Sequence, residues 1–273
     1  MNKSLLSAAI LTAVTAVMTM GCSESGPKPL ESRFETYGKS HTYILQGLKS
    51  DLGGEDNDMS ECDSVSLILP VMLNNSDTKD LCDTILSRAL SVKGLDPFDA
   101  IDKWLAATAA ESGLQTVDTV LRSEITDGFQ IIQGKIVNMT SDLLTYCISN
   151  SVMLPGAANG LYTLDYINYS LTEKRVITLS ELFTPDGLKK LPAVIADQAE
   201  NDSRLAGNVD IESLPESDNF YLSSEGEIVF SYKPMEVGPH SLGNVQVAFL
   251  PEELVPYMTP AAIRAFGLSD LAE

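Results

Sequence analysis

The chain has 273 residues, 44% of them hydrophobic and 21% charged, which is enough apolar surface to bury a core and excludes disorder throughout. Thirty-eight acids against 18 Lys and Arg leave a net charge of −20. That balance excludes a nucleic-acid binder built on clustered bases and a folded body docked on an anionic membrane, and it favours cationic partners.

Met1-Asn2-Lys3 is a short basic start, Leu5 to Met20 is apolar or small, and Gly21-Cys22 closes the run. This is the layout of an export signal, and its apolar part falls short of the roughly 20 residues that span a bilayer. The Gly-Cys junction resembles a bacterial lipoprotein signal, of the kind Bacteroidetes lipoproteins carry. The resemblance implies removal of residues 1–21 and lipidation of Cys22, although Thr19 and Met20 depart from the usual Leu-Ala/Ser before the cysteine. No other apolar stretch approaches membrane length. The mature chain is therefore expected at the cell envelope, held to a bacterial membrane by lipid alone and facing the periplasm or the outside. Residues 22–59 read as a tether and N-terminal segment: SESGPKPL at 23–30 is a flexible stalk, 31–63 is mixed, and 53–58 is an acidic loop.

Val65 to Leu73 is a candidate buried strand interrupted at Pro70. Ser76-Asp77 cap a predicted helix to about Ser91, with Leu81, Ile85, Leu86, Ala89 and Leu90 at helical spacing. A second helix is predicted from Asp96, with Pro97 in the first position, to Gly113; its apolar face is Phe98, Ile101, Leu105 and Thr108, and Trp104 is expected in the core. From Leu114 to Phe183 the period changes to two, with strands predicted at 116–124, 129–138, 142–153 and 160–170. Their short connections favour an antiparallel meander. A third helix is predicted over 185–200 and a loop over 208–218. Phe220 to Tyr232 reads as a hairpin around Ser223–Gly226 with Ile228, Phe230 and Tyr232 on one face. Val245–Phe249 is a last strand, and Pro251 starts a short helix. The expected fold class is α+β, an antiparallel sheet with packed helices.

With Cys22 lipidated, Cys62, Cys82 and Cys147 remain, so at most one bridge forms. Cys62 with Cys82 is one pairing; three small buried thiols are the alternative. No CxxC spacing, HExxH, GxSxG or phosphate loop occurs. Asp56-Asn57-Asp58 starts like a calcium loop, but Glu61 and Leu67 stand where Gly and the bidentate Glu are required. No metal or cofactor is expected. His41 and His240 are the only histidines, and both are expected at the surface.

The second half resembles a bacterial extracytoplasmic domain of unknown function that forms the outer end of RsiV-type anti-sigma factors and accompanies the catalytic domain of PdaC-type peptidoglycan deacetylases. The resemblance rests on the turn at 155–160 (PGAANG), on 166–175 (YINYSLTEKR) and 177–183 (ITLSELF), and on Phe220, Leu222, Gly226, Ile228, Phe230, Tyr232, Pro234, Gly243, Val247, Pro251 and Leu254. Asn159 stands where the family often has histidine, and His240 where tyrosine is usual, so any family activity that uses that turn histidine is lost here. The resemblance implies an RsiV C-terminal-like module over 159–273 and a companion α+β module over 60–158, with 60–258 expected to fold as one cooperative unit.

It also implies a non-catalytic lipoprotein that binds a protein or glycan, with lysozyme, a basic protein, the first ligand to test. The alternative is an envelope enzyme acting on peptidoglycan or polysaccharide; in the deacetylase relatives that chemistry belongs to a separate domain. An RsiV-like signalling role is not expected, because no cytoplasmic segment is recognised in the sequence. Specificity would need a buried aromatic centre, for which Tyr166, Tyr169, Tyr221 and Tyr257 are the candidates; packing in the core is their other reading. Asp63-Ser64-Val65 and Asp118-Thr119-Val120 resemble the O-glycosylation acceptor of Bacteroidetes, a tripeptide that chance also supplies in so Asp-, Ser- and Thr-rich a chain.

Overall fold

A computed structural model describes residues 32–45, 59–73, 78–111, 128–154, 157 and 159–271. The fold is α+β. Six strands pair in the order β1 (Ser32–Leu45), β2 (Met59–Leu73), β3 (Gly128–Met139), β4 (Leu143–Met153), β5 (Leu161–Ser170) and β6 (Arg175–Val176). A second sheet contains β7 (Phe220–Leu222), β8 (Ile228–Tyr232) and β9 (Val245–Phe249). The chain divides into two compact units, one taking in the described residues up to Lys135 with Ser149–Leu161, the other Ile136–Ile148 with Tyr162 onward. Among the described residues no helix is long and apolar enough to cross a membrane.

In the first unit, β1 and β2 form a long antiparallel pair that places His41 opposite Asp63 and Lys39 opposite Val65. The odd positions of β2 face inward, so Val65, Leu67 and Leu69 are buried. Helices α1 (Lys79–Leu90) and α2 (Pro97–Glu111) cover that face. Leu81, Ile85, Leu86 and Leu90 form the buried stripe of α1, and Ala100, Ile101 and Leu105 that of α2. Each such leucine contributes about 2 kcal/mol by leaving water. Helix α1 stops where Ser91 turns left-handed (φ 56°) and its N–H donates to the Ser87 carbonyl. Helix α2 starts because the Asp96 carboxylate accepts from the Phe98 N–H at 3.0 Å and Pro97 is preset for a first turn.

Three expectations need correction here. The stretch read as mixed contains β1, and β2 begins at Met59 rather than Val65. The sheet is not a pure antiparallel meander: β2 and β3 run parallel, because the two helices between them form a crossover connection. The sequence Asp63-Ser64-Val65 lies inside β2, paired on both sides by β1 and β3, with Asp63 and Val65 buried and Ser64 half-buried, and not in an exposed loop. Strand 116–124, Asp118–Val120, Ser76-Asp77 and Gly113 lie outside the described residues, as do Cys22 and the rest of 1–31.

In the second unit, helix α3 (Leu179–Leu182) precedes α4 (Pro185–Asn201), and two short helices, α5 (Pro251–Leu254) and α6 (Pro260–Ala265), close the chain. Helix α4 is capped by Thr184, whose hydroxyl accepts from Gly187 N at 3.0 Å, and buries Gly187, Leu191, Ile195 and Ala199 at a four-residue spacing. A Cβ on Gly187 would lie 2.3 Å from the Tyr257 carbonyl oxygen, so only glycine permits that approach. The hairpin β7–β8 is antiparallel. Its turn is held by the Ser223 hydroxyl, which accepts from the N–H groups of Glu225 and Glu227, and by Gly226 at φ 89°. Ile228, Phe230 and Tyr232 join Phe183, Phe220 and Phe249 in the core, yet Val229 and Ser231 are buried too, so β8 is covered on both faces.

Along Tyr162–Tyr166, β5 has an edge that no strand among the described residues covers, and side-chain amides take its place. Asn244 donates to Tyr162 O (2.8 Å) and accepts from Leu164 N (3.0 Å). Asn219 donates to Leu164 O (2.9 Å) and Ser231 O (2.8 Å) and accepts from Tyr166 N (2.9 Å). Asn168 returns the pattern, donating to Phe220 O (2.8 Å) and accepting from Leu222 N (3.2 Å). Each amide presents its donor and acceptor as a peptide group would, which satisfies backbone groups that would otherwise be buried unpaired.

Candidate functional site

The four tyrosines singled out in the sequence do not form one surface cluster. Tyr166 and Tyr169, three apart on β5, are 7% and 5% exposed. Tyr221 on β7 is half-buried and stacks on Tyr166 with ring centroids 4.2 Å apart. The Tyr166 hydroxyl accepts from Gln246 Nε2 at 3.0 Å, and burial drives its pKa far above the usual phenol value, with Cys147 and Tyr221 adding to the rise. Burial also raises Tyr221, assisted by Glu227. This pair is therefore a neutral aromatic plate with one partly exposed ring. Tyr257 packs elsewhere, against the core beside α4, and its carbonyl accepts from Thr184 N at 2.9 Å.

Cys62, Cys82 and Cys147 are all unbridged, so the Cys62–Cys82 pairing is not formed; the Cys82 thiol donates to the Pro70 carbonyl at 3.3 Å. Cys147 is buried, as the alternative reading has it, whereas Cys62 and Cys82 are half-buried. Trp104 is half-buried on α2 rather than enclosed. His240 is exposed in a helical turn after Pro239. His41 departs from the surface reading: it is half-buried in β1 opposite Asp63. Among the described residues no group of three or more His, Cys, Asp or Glu could hold a metal ion.

Asp63 escaped the sequence reading. Its signal is a carboxylate that interrupts the inward positions 63, 65, 67 and 69, and a strand predicted from Val65 leaves it out. The residue is 1% exposed. Burial raises its pKa, while hydrogen bonds from Thr108 and the Gln130 N–H, and the nearby His41, offset part of the rise. Its Oδ1 has no hydrogen-bond partner among the described residues.

Each unit has a cleft. In the first, about 370 Å³ opens between Tyr37, Leu69 and Pro70 on the strands and Cys82, Leu86 and Leu95 on the helical side. In the second, about 510 Å³ opens between the 207–213 segment and Glu236–Gly238, with Asp210, Glu212 and Glu236 on its walls. Glu236 is fixed in place, accepting from Glu216 N at 2.8 Å and Lys233 N at 2.7 Å. Beside it Met235 is 68% exposed and held at φ 71°, a backbone region that residues with a side chain seldom occupy.

These surfaces sit on a known architecture. Residues 180–250 match the DUF3298 family model, described as a protein of unknown function. The match covers α3 and α4 and runs through β7, β8 and β9. Two solved DUF3298 structures share the wider fold. One, from Bacteroides fragilis, superposes with a TM-score of 0.66 at 16% identity, covering 88% of this chain and 98% of that one. Another, from Pseudomonas aeruginosa, gives 0.54 at 15% identity, covering 87% and 97%. At these identities the likeness concerns the DUF3298 fold and not a shared activity. A search of curated proteins gave no match.

Proposed function

We propose that this chain is a non-catalytic lipoprotein of the bacterial cell envelope, anchored through Cys22, whose folded part binds a basic protein, lysozyme being the first ligand to test, or an envelope glycan. The observation that carries the reading is charge: 38 acids against 18 bases on a chain with an export-type start and a DUF3298-like fold. The acidic walls of the cleft at Asp210, Glu212 and Glu236 give that excess a local concentration, and the RsiV-type resemblance of the second half supports a ligand outside the cell membrane. Attraction between an acidic receptor and a basic ligand chiefly raises the association rate, and added salt weakens it once the Debye length falls to about 10 Å.

Calorimetry tests the reading on the protein without residues 1–21 and with Cys22→Ser. Heat of binding with lysozyme is expected at low salt, with weaker affinity at physiological salt. No heat at either salt removes lysozyme as the ligand, and turnover of a peptidoglycan fragment overturns the non-catalytic assignment.

A further inference from the structure

The inward face of the first unit carries charge where its neighbours are apolar. Asp63 follows the side of Val65, Leu67 and Leu69, and α2 lies over it. Four elements surround the carboxyl. From β1 comes His41, its cross-strand partner, with Lys39 one inward position along and paired to Asp102 of α2. Glu61 flanks it on β2, with a pKa raised by burial and by Asp63 itself. Thr108 of α2 and the Gln130 N–H of β3 donate to it. One oxygen is left without a hydrogen bond among the described residues. A carboxylic acid tolerates that position better than a carboxylate, because an ionised group with an empty lone pair in a dry site loses its hydration without replacement.

We propose that Asp63 and His41 form a proton-operated latch between the β1–β2 pair and α2, closed while the Asp63 carboxyl holds its proton and loosened when it ionises. Opening α2 lets water reach the carboxyl, so ionisation lowers the free energy of opening. Because the folded-state pKa is raised, the closed form is fully stabilised below the ordinary carboxyl value and loses that stabilisation as pH rises through the raised one. His41 moderates the loss by lying against the anion from the facing strand. The latch is built from residues of the first unit.

The chain's single tryptophan, Trp104, sits on α2 and reports the device directly. The test is amide hydrogen exchange of α2 in the full-length protein from about pH 3.5, below the ordinary carboxyl value, to pH 8, corrected for intrinsic exchange, together with Trp104 emission. The wild type is expected to lose α2 protection across this range, about ten-fold for each unit by which folding raises the Asp63 pKa. Asp63→Asn, which keeps the shape and cannot ionise, is expected to hold protection within about two-fold. Glu61→Gln is expected to retain the transition and His41→Gln to deepen it. An equal loss in wild type and Asp63→Asn, a loss abolished by Glu61→Gln, or an unchanged profile in His41→Gln overturns the latch.

Discussion

Asn219 offers the sharpest test of what holds the second unit together. It is fully buried, and its amide makes three hydrogen bonds, to Leu164 O, Ser231 O and Tyr166 N, all at 2.8–2.9 Å. Asn219→Ala removes the amide and leaves three backbone groups without this partner, two in the interior and the Leu164 carbonyl half-buried. Each buried, unsatisfied group costs about 1–3 kcal/mol, so the expected loss is about 3–5 kcal/mol after some relaxation. That is a large share of the roughly 5–15 kcal/mol that folded domains possess. Asn219→Asp refines the argument. It keeps the acceptor for Tyr166 N but sets a carboxylate against two carbonyl oxygens, so its pKa must rise on folding. Its deficit should shrink as pH falls, because the protonated acid regains one donor. Urea unfolding followed by far-ultraviolet circular dichroism, at pH 5.5 and 8, reads both variants. A loss under about 1 kcal/mol for Asn219→Ala would refute the amide-clip account. Trp104 fluorescence in the same experiment tests cooperativity, since Trp104 belongs to the other unit: a matching shift means that residues 60–258 unfold together.

Gly187→Ala should destabilise by about 1–3 kcal/mol through overpacking against the Tyr257 carbonyl, measured as a lower urea midpoint, and Gly207→Ala, with open space around it but at φ 67°, should show the smaller backbone penalty alone. Cys22→Ser should move the protein from the membrane to the soluble fraction; continued sedimentation with membranes after signal removal would contradict lipid anchoring. Tyr221→Ala should weaken lysozyme binding if the exposed ring of the Tyr166–Tyr221 stack is a contact, whereas unchanged calorimetry assigns the stack to packing.

The second unit was the more legible half. Leu191, Ile195 and Ala199 repeat at helical spacing behind a Thr-Pro start, and Ser223–Gly226 carries its own turn chemistry, so both elements follow from local rules. Strand β1 is hidden in the sequence because an edge strand that covers little core needs no clean alternation: Arg33, Thr36, Gly38, Lys39 and Ser40 leave the stretch mixed. The parallel pairing of β2 and β3 depends on where α1 and α2 pack, which no local signal carries. The asparagine clips were illegible for a related reason. Their partners lie about 50–80 positions away, and an isolated Asn reads first as a turn residue. Of the candidate site, the tyrosines could be named from sequence, but their distribution between core and stack could not. Asp63 could have been found by extending the alternation of β2 two residues further.

The amide clips on β5 also decide where the sheet ends. A strand laid along Tyr162–Tyr166 would satisfy the same backbone groups, but it would expose a fresh row of its own to the next chain. Side-chain amides on Asn219 and Asn244 accept and donate without offering a continuation, so growth from this edge stops with them. The proposed lipid anchor would concentrate the protein at a membrane, and there this edge would be protected against edge-to-edge assembly by two side chains.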